Sequence, residues 1–332
     1  MRNISFRCTY YTGFNFLCCV AIFLSLFTIT RVSFASEIPQ VASEKPKAKS
    51  GRQKVAAGWI HNTALKSDGS VWAWGNNDKG QLGDETKTDK NKRKKIDKLT
   101  DVTDIACGWR HTVNLKSDGT VWAWGDNANG QLGDGTKKNS DGPLQAAGLR
   151  DAIAIACGGF YTVALKSDGT VWAWGENTNG QLGDGTSIFR DTPVPVIKLS
   201  DVTAIACGRA HTAAVKSDGT VWTWGLNSYG QLGDGTTVSK DTPVQVVGLT
   251  GVIAVACARA HTVALKSDGT VWTWGDNENG ELGDGTTKNR DIPMQIRELS
   301  EVIAITCGQY HTMALKSDGT VWSWGDNENG QL

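Results

Sequence analysis

From Val55 onward, short apolar runs alternate with polar turns, as in Val202 to Cys207, His211 to Lys216, Thr220 to Gly225 and Thr242 to Val247. The pattern predicts up to four short β-strands per unit. Between the second and third runs stands Ser217-Asp218-Gly219, and Asp-Gly in that place signals a hairpin because glycine takes the positive φ of a tight turn or bulge. Trp222 and Trp224 are two residues apart, with counterparts in all six units, so both side chains point to one face of a strand. Twelve of the 14 tryptophans are used in this way. Large flat side chains at a fixed depth in every unit predict packing between adjacent sheets rather than ligand stacking.

The units are periodic. Lys-Ser-Asp-Gly begins at Lys66, Lys116, Lys166, Lys216, Lys266 and Lys316, every 50 residues, and such self-similarity marks a solenoid or propeller whose units hide their apolar faces only against neighbours. The units span 55–104, 105–154, 155–204, 205–254, 255–304 and, in part, 305–332. The last breaks off in Gly330-Gln331-Leu332, where earlier units continue into Gly-Asp-Gly-Thr. It reads as a fragment or a truncated reading frame.

Three phrases recur in order: Ile-Ala-Cys-Gly-x-x-His-Thr, Ala-x-Lys-x-Asp-Gly-Thr-Val-Trp, and Trp-Gly-x-Asn-x-x-Gly-Gln-Leu-Gly-Asp-Gly-Thr. Over residues 55–332 the chain resembles the repeats of the regulator of chromosome condensation, the RCC1-type family. That resemblance implies an all-β propeller of four-stranded blades, usually seven. Six units are visible here, so one strand is sought elsewhere: Glu37 to Val41 resembles Asp291 to Ile296 and is expected to supply the outer strand of the last blade. The rival expectation for residues 36–54 is a solvated basic linker, with Lys45, Lys47, Lys49, Arg52 and Lys54 among Pro and Ser.

Composition adds a direction. Lys plus Arg and Asp plus Glu number 34 each, which argues against a dedicated nucleic-acid binder, while 39 glycines in 332 residues fit a chain rich in turns. Arg2 and Arg7 precede an apolar run from Phe14 to Thr30, and Ser33-Phe34-Ala35 suits cleavage after Ala35. Residues 1–35 therefore read as a secretory signal, with an uncleaved anchor through residues 14–30 as the second reading. Either way the rest is exported.

Candidate chemistry yields to structural readings. Cys107, Cys157, Cys207, Cys257 and Cys307 occur once per unit, with Ala57 in the first; an odd count at equivalent positions predicts free, buried thiols. His61, His111, His211, His261 and His311 follow four residues after that position, with Tyr161 in the third unit. Zinc needs four converging ligands, so a hydrogen bond to backbone that His and Tyr can share is expected instead. The Gly-Gln-Leu-Gly-Asp-Gly-Thr loops match neither a calcium loop nor a phosphate loop, and their Asn and Gly are expected to supply left-handed turn residues. No unit holds a unique nucleophile beside a base, so the chain reads as a non-enzyme with no cofactor, metal or catalytic residue. The basic run Lys87 to Lys98 reads as a solvated inter-blade loop.

Function is sought where the repeats differ. Between Cys-Gly and His-Thr stand Trp59 and Ile60, Trp109 and Arg110, Gly159 and Phe160, Arg209 and Ala210, Arg259 and Ala260, and Gln309 and Tyr310, a set rich in hot-spot residue types on what should be one end of the propeller. Trp59, Trp109, Arg110, Phe160, Arg209, Arg259 and Tyr310 are the candidate partner-binding residues. The resemblance brings two precedents: an exchange factor for the small GTPase Ran that docks on chromatin, and a secreted bacterial relative that blocks β-lactamases through aromatic residues. Export and strict spacing favour a scaffold binding a protein, less so a glycan. An exchange factor and a structural cell-envelope protein are the alternatives.

Overall fold

A computed structural model describes residues 2–4 and 53–332. The described chain is all β, in six antiparallel sheets. Blade 1 holds Lys54–Ala57, His61–Leu65, Val71–Gly75 and Lys90–Lys95; blade 2 holds Val102–Cys107, His111–Lys116, Val121–Gly125 and Ser140–Gln145. Blade 3 repeats the plan with Ala152–Cys157, Tyr161–Lys166, Val171–Gly175 and Arg190–Pro195, and blade 4 with Val202–Cys207, His211–Lys216, Val221–Gly225 and Lys240–Gln245. Blade 5 is Val252–Cys257, His261–Lys266, Val271–Gly275 and Arg290–Gln295. Blade 6 supplies three strands, Val302–Cys307, His311–Lys316 and Val321–Gly325, and the backbone of Arg2–Ile4 pairs antiparallel with the last of them. First strands of consecutive blades adjoin one another, so each blade runs outward from the propeller axis. The proposed closing strand 37–41 and the apolar run 14–30 lie outside the described residues. Among the described residues no helix is long and apolar enough to cross a membrane.

Local chemistry sets each hairpin. In blade 2, Asp118 accepts from the Thr120 backbone N–H at 3.0 Å and from its hydroxyl at 2.6 Å, while Lys116 N–H bonds Thr120 C=O at 3.0 Å. Gly119 closes the turn at φ 77°, a conformation that costs a residue with Cβ more. The glycine of Trp-Gly has another reason: a Cβ on Gly125 would lie 2.5 Å from the Arg110 carbonyl oxygen. This close approach lets Asp126 N–H donate to the same carbonyl at 2.8 Å, which holds the end of the third strand against the variable turn.

The outer strand starts earlier than the sequence suggests, at Lys240 rather than Thr242, because Lys240 pairs opposite Gly225 beyond an irregularity in the ladder. The basic run also differs from expectation. Lys90–Lys95 is a strand, not a loop, with Lys94 opposite Ala73 and Lys95 opposite Trp72; its ladder bonds override a composition that reads as solvated.

Packing follows the tryptophans. Five apolar clusters fill the five junctions between consecutive blades, and each buries the Trp pair of the later blade on the Val and Leu face of the earlier one. At the junction of blades 2 and 3, Trp174 is fully buried and Trp172 partly so, against Val113, Leu115, Val121 and Leu132. Burial of such rings removes 150–250 Å² each in typical cases.

A polar lock accompanies every cluster. The Gln131 carbonyl accepts from the Trp174 indole at 3.0 Å and from the Thr162 hydroxyl at 2.9 Å, both in the next blade. His111 Nε2 lies 3.1 Å from the same hydroxyl. Since the threonine proton goes to the carbonyl, the histidine must donate from Nε2, leaving Nδ1 bare and without a partner. Burial holds His61 and His211 down to about 4, and His111 and His261 to about 3. His61, His111, His211 and His261 thus bond a neighbouring blade's threonine rather than backbone, whereas Tyr161 does reach backbone, donating to the His211 carbonyl at 2.5 Å.

In the loop after Trp-Gly, the asparagine is a buried staple rather than a left-handed residue. Asn127 accepts from Leu132 N–H at 3.0 Å and donates to Asp134 at 3.0 Å and to the Thr136 carbonyl at 3.1 Å. Glycines 130, 133 and 135 do take positive φ. Cys107, Cys157, Cys207, Cys257 and Cys307 form no disulfide and keep some surface exposed, and burial pushes Cys207 and Cys307 up to about 12.

Candidate functional site

The variable turns connect into one line. Trp59 N–H donates to the Trp109 carbonyl at 3.3 Å, Trp109 to Gly159 at 3.1 Å, Gly159 to Arg209 at 3.0 Å, Arg209 to Ala258 at 3.3 Å, and Arg259 to Gln309 at 3.3 Å. These backbone bonds join blades 1 to 6 in order and set the variable side chains side by side on one end of the propeller.

Five of the seven candidate residues form a contiguous arc. The Trp59 and Trp109 rings are 5.6 Å apart and tilted by 40°, and Trp109 meets Phe160 edge-on at 5.1 Å. Both distances fall in the range of favourable aromatic pairs. Arg110 lies 5.4 Å from the Trp59 ring centroid and Arg209 5.1 Å from that of Trp109, each within cation–π reach. Trp59 is 53% exposed, although an indole of that size is normally covered. Arg110 also meets Asp78 at 3.4 Å.

The other two candidates stand apart from this arc. Arg259 lies 5.1 Å from the Tyr310 ring across blades 5 and 6, while Ala210 and Ala260, both buried, fill the intervening turns. The arrangement is an arc over blades 1 to 4 plus a separate pair.

A second variable position shares this end. The residue after Trp-Gly bonds the variable turn in every blade: Asn76 to Ile60 at 2.9 Å, Asp126 to Arg110 at 2.8 Å, Glu176 to Phe160 at 2.9 Å, Leu226 to Ala210 at 2.8 Å, Asp276 to Ala260 at 3.0 Å and Asp326 to Tyr310 at 2.9 Å. Sequence reasoning missed these residues, although their variation at a fixed place was a usable signal. Two are electrostatically tuned. Burial raises Glu176 while Arg209 opposes it, and burial followed by the Glu281 carboxylate raises Asp276 while Arg259 opposes it. The surface can therefore offer flat aromatic area, guanidinium donors and carboxylate acceptors together. Among the described residues, no three His, Cys, Asp or Glu side chains converge as a metal site.

Six radial blades, joined at five junctions through Trp and Thr donors to a Gln or Glu carbonyl, define a β-propeller of the RCC1 kind. The chain belongs to the RCC1-like domain family, matched over residues 29–332. It is similar to human WBSCR16, at 27% identity and a TM-score of 0.71, over 79% of this chain and 71% of that one. It is also similar to Prp20p of Saccharomyces cerevisiae, a structure described with its binding properties to Gsp1p and histones, at 26% identity, TM-score 0.72, over 83% and 72%. A structure of Kap60 bound to yeast RCC1 (Prp20) shares the fold at 24% identity and a TM-score of 0.73, over 83% and 70%. No curated protein matches the chain.

Proposed function

We propose that this chain is an exported, non-enzymatic scaffold that captures a protein partner on the arc of Trp59, Trp109 and Phe160, with Arg110 and Arg209 as flanking anchors. The observation that carries this reading is the aromatic stack, in which Trp59 is exposed and Trp109 and Phe160 are half-buried. Trp124, Trp174, Trp224 and Trp274 are fully buried between blades, so the fold already has its tryptophans, and Trp59 and Trp109 add aromatic area on an open end. Aromatic and Arg side chains in one patch are the usual makeup of binding hot spots. The related yeast structures, described with Kap60, Gsp1p and histones, support protein partners as a class.

The test is a pull-down with the exported chain beside a variant carrying Ala at Trp59, Trp109 and Phe160, and a second variant with Tyr310→Ala alone. A partner captured by the unaltered chain and lost with the triple variant, at unchanged melting temperature, supports the arc. Equal capture by these two sinks it. Export is tested separately by the mass of the chain recovered outside the cell, since cleavage after Ala35 would also remove Arg2–Ile4 from the edge of blade 6. The exchange-factor alternative predicts accelerated nucleotide release from a small GTPase. The even 50-residue spacing, with no inserted wedge, speaks against it.

A further inference from the structure

The outer strand of blade 1 differs from its counterparts in two respects. Five of its six residues are cationic: Lys90, Lys92, Arg93, Lys94 and Lys95. Lys90 does a shared structural job, meeting Asp84 at 3.4 Å as Arg190 meets Asp184 at 2.7 Å and Arg290 meets Asp284 at 2.8 Å. The other four are exposed, and among the described residues none has an ion-pair partner. Lys95 stands opposite Trp72 in the ladder, and the Arg93 guanidinium lies 6.0 Å from that ring, with Lys66 Nζ 4.0 Å from it.

The second difference is a proline. Pro143, Pro193, Pro243 and Pro293 occupy the fourth position of the other outer strands, where blade 1 has Arg93. Proline there implies that the ladder does not need this N–H and that the edge is blocked against further pairing. Blade 1 restores the donor on its open edge.

We infer that the Lys90–Lys95 edge docks an acidic, extended peptide segment of a partner protein as a fifth strand of blade 1. Lysines on an edge keep identical chains apart by charge repulsion. The same charges attract a strand that carries glutamates on alternate residues, while backbone bonds supply the rest of the affinity. A nucleic acid would use the charge alone and be indifferent to the N–H of Arg93. This surface lies on the outer rim, apart from the aromatic arc.

The experiment uses the full chain and a fluorescein-labelled peptide alternating glutamate with valine, read by anisotropy and by amide hydrogen exchange. The peptide is expected to bind, more weakly at high salt, and to slow exchange at Arg93 and Lys95. Arg93→Pro should weaken binding about tenfold or more, the scale of one lost backbone hydrogen bond together with one lost charge, with melting unchanged because four other blades carry that proline. Arg93→Gln, which loses charge and keeps the N–H, should weaken it less. Absence of binding overturns the inference, as does binding without slowed exchange at Arg93 and Lys95 in the unaltered protein. So does a thymidine oligonucleotide of equal charge that binds as tightly while Arg93→Pro changes neither ligand.

Discussion

Blades 1 and 3 share the third strand Val-Trp-Ala-Trp-Gly, yet its tryptophans do different work. In blade 3, Trp174 is fully buried on blade 2 and donates to the Gln131 carbonyl, and Thr162 receives His111. In blade 1 the counterpart Trp74 is only partly buried, Asn62 stands in place of the threonine and Ala57 in place of the cysteine. None of the five inter-blade clusters contains Trp72 or Trp74. A repeat residue thus acquires its energetic role from the blade that precedes it, as expected for a quasi-one-dimensional scaffold.

The strongest way to break that comparison is a matched pair of truncations. Trp174→Ala should cost about 3–5 kcal/mol, the range for a large ring deleted from a packed core, and Trp74→Ala less than half as much, by urea denaturation. Equal losses would mean that stability is not concentrated at the junctions.

Acid sharpens it next. The buried histidines titrate in the unfolded chain near 6.5 and in the folded one near 3 to 4. The unfolded state therefore binds more protons in that window, and stability, complete above pH 6.5, falls as pH drops toward 4. Each histidine contributes at most about 1.4 kcal/mol per pH unit. The physical cause is burial, which disfavours the charged imidazolium; at His61, His111 and His211 the Nδ1 has no partner to accept the added N–H. His211→Tyr, copying Tyr161, should flatten the acid limb of a melting-temperature profile by one proton's worth. An unchanged slope would show that the junction tolerates charge.

The smallest expected effect lies in blade 5. Glu281 occupies the place of Gln81, Gln131, Gln181 and Gln231, and it is buried with Asp276. Glu281→Gln should relieve the like charge, lower the Asp276 titration seen by NMR, and stabilise the protein by roughly 1 kcal/mol or less. A destabilised variant would mean that the carboxylate's bonds to Asn279, 2.8 Å to its N–H and 2.9 Å to its amide, outweigh the repulsion.

Much of the fold was legible because repetition multiplies a weak local signal. The strand limits His211–Lys216 and Val202–Cys207 follow from apolar runs bounded by turns, and the Trp pair's shared face follows from the two-residue period. Lys90–Lys95 was misread as a loop because strand formation there depends on ladder partners in Val71–Gly75, which no local propensity reports. At the candidate site, the aromatic and Arg positions stood out by varying inside a constant frame. The carboxylates after Trp-Gly did not, since their link to the variable turn runs through backbone bonds between separate strands.

By itself, the sequence determined the 50-residue blade, its hairpins and the inward place of the tryptophans, all consequences of side-chain period and turn chemistry within one unit. Only the tertiary structure decided which repeats differ in effect. The gathering of Trp59, Trp109 and Phe160 into one stack, the direction of each His-to-Thr bond and the place of Lys90–Lys95 as an outer strand depend on which strand lies beside which. Contacts between units are set by how the units pack in three dimensions, and a periodic sequence looks the same whether or not a neighbour is present.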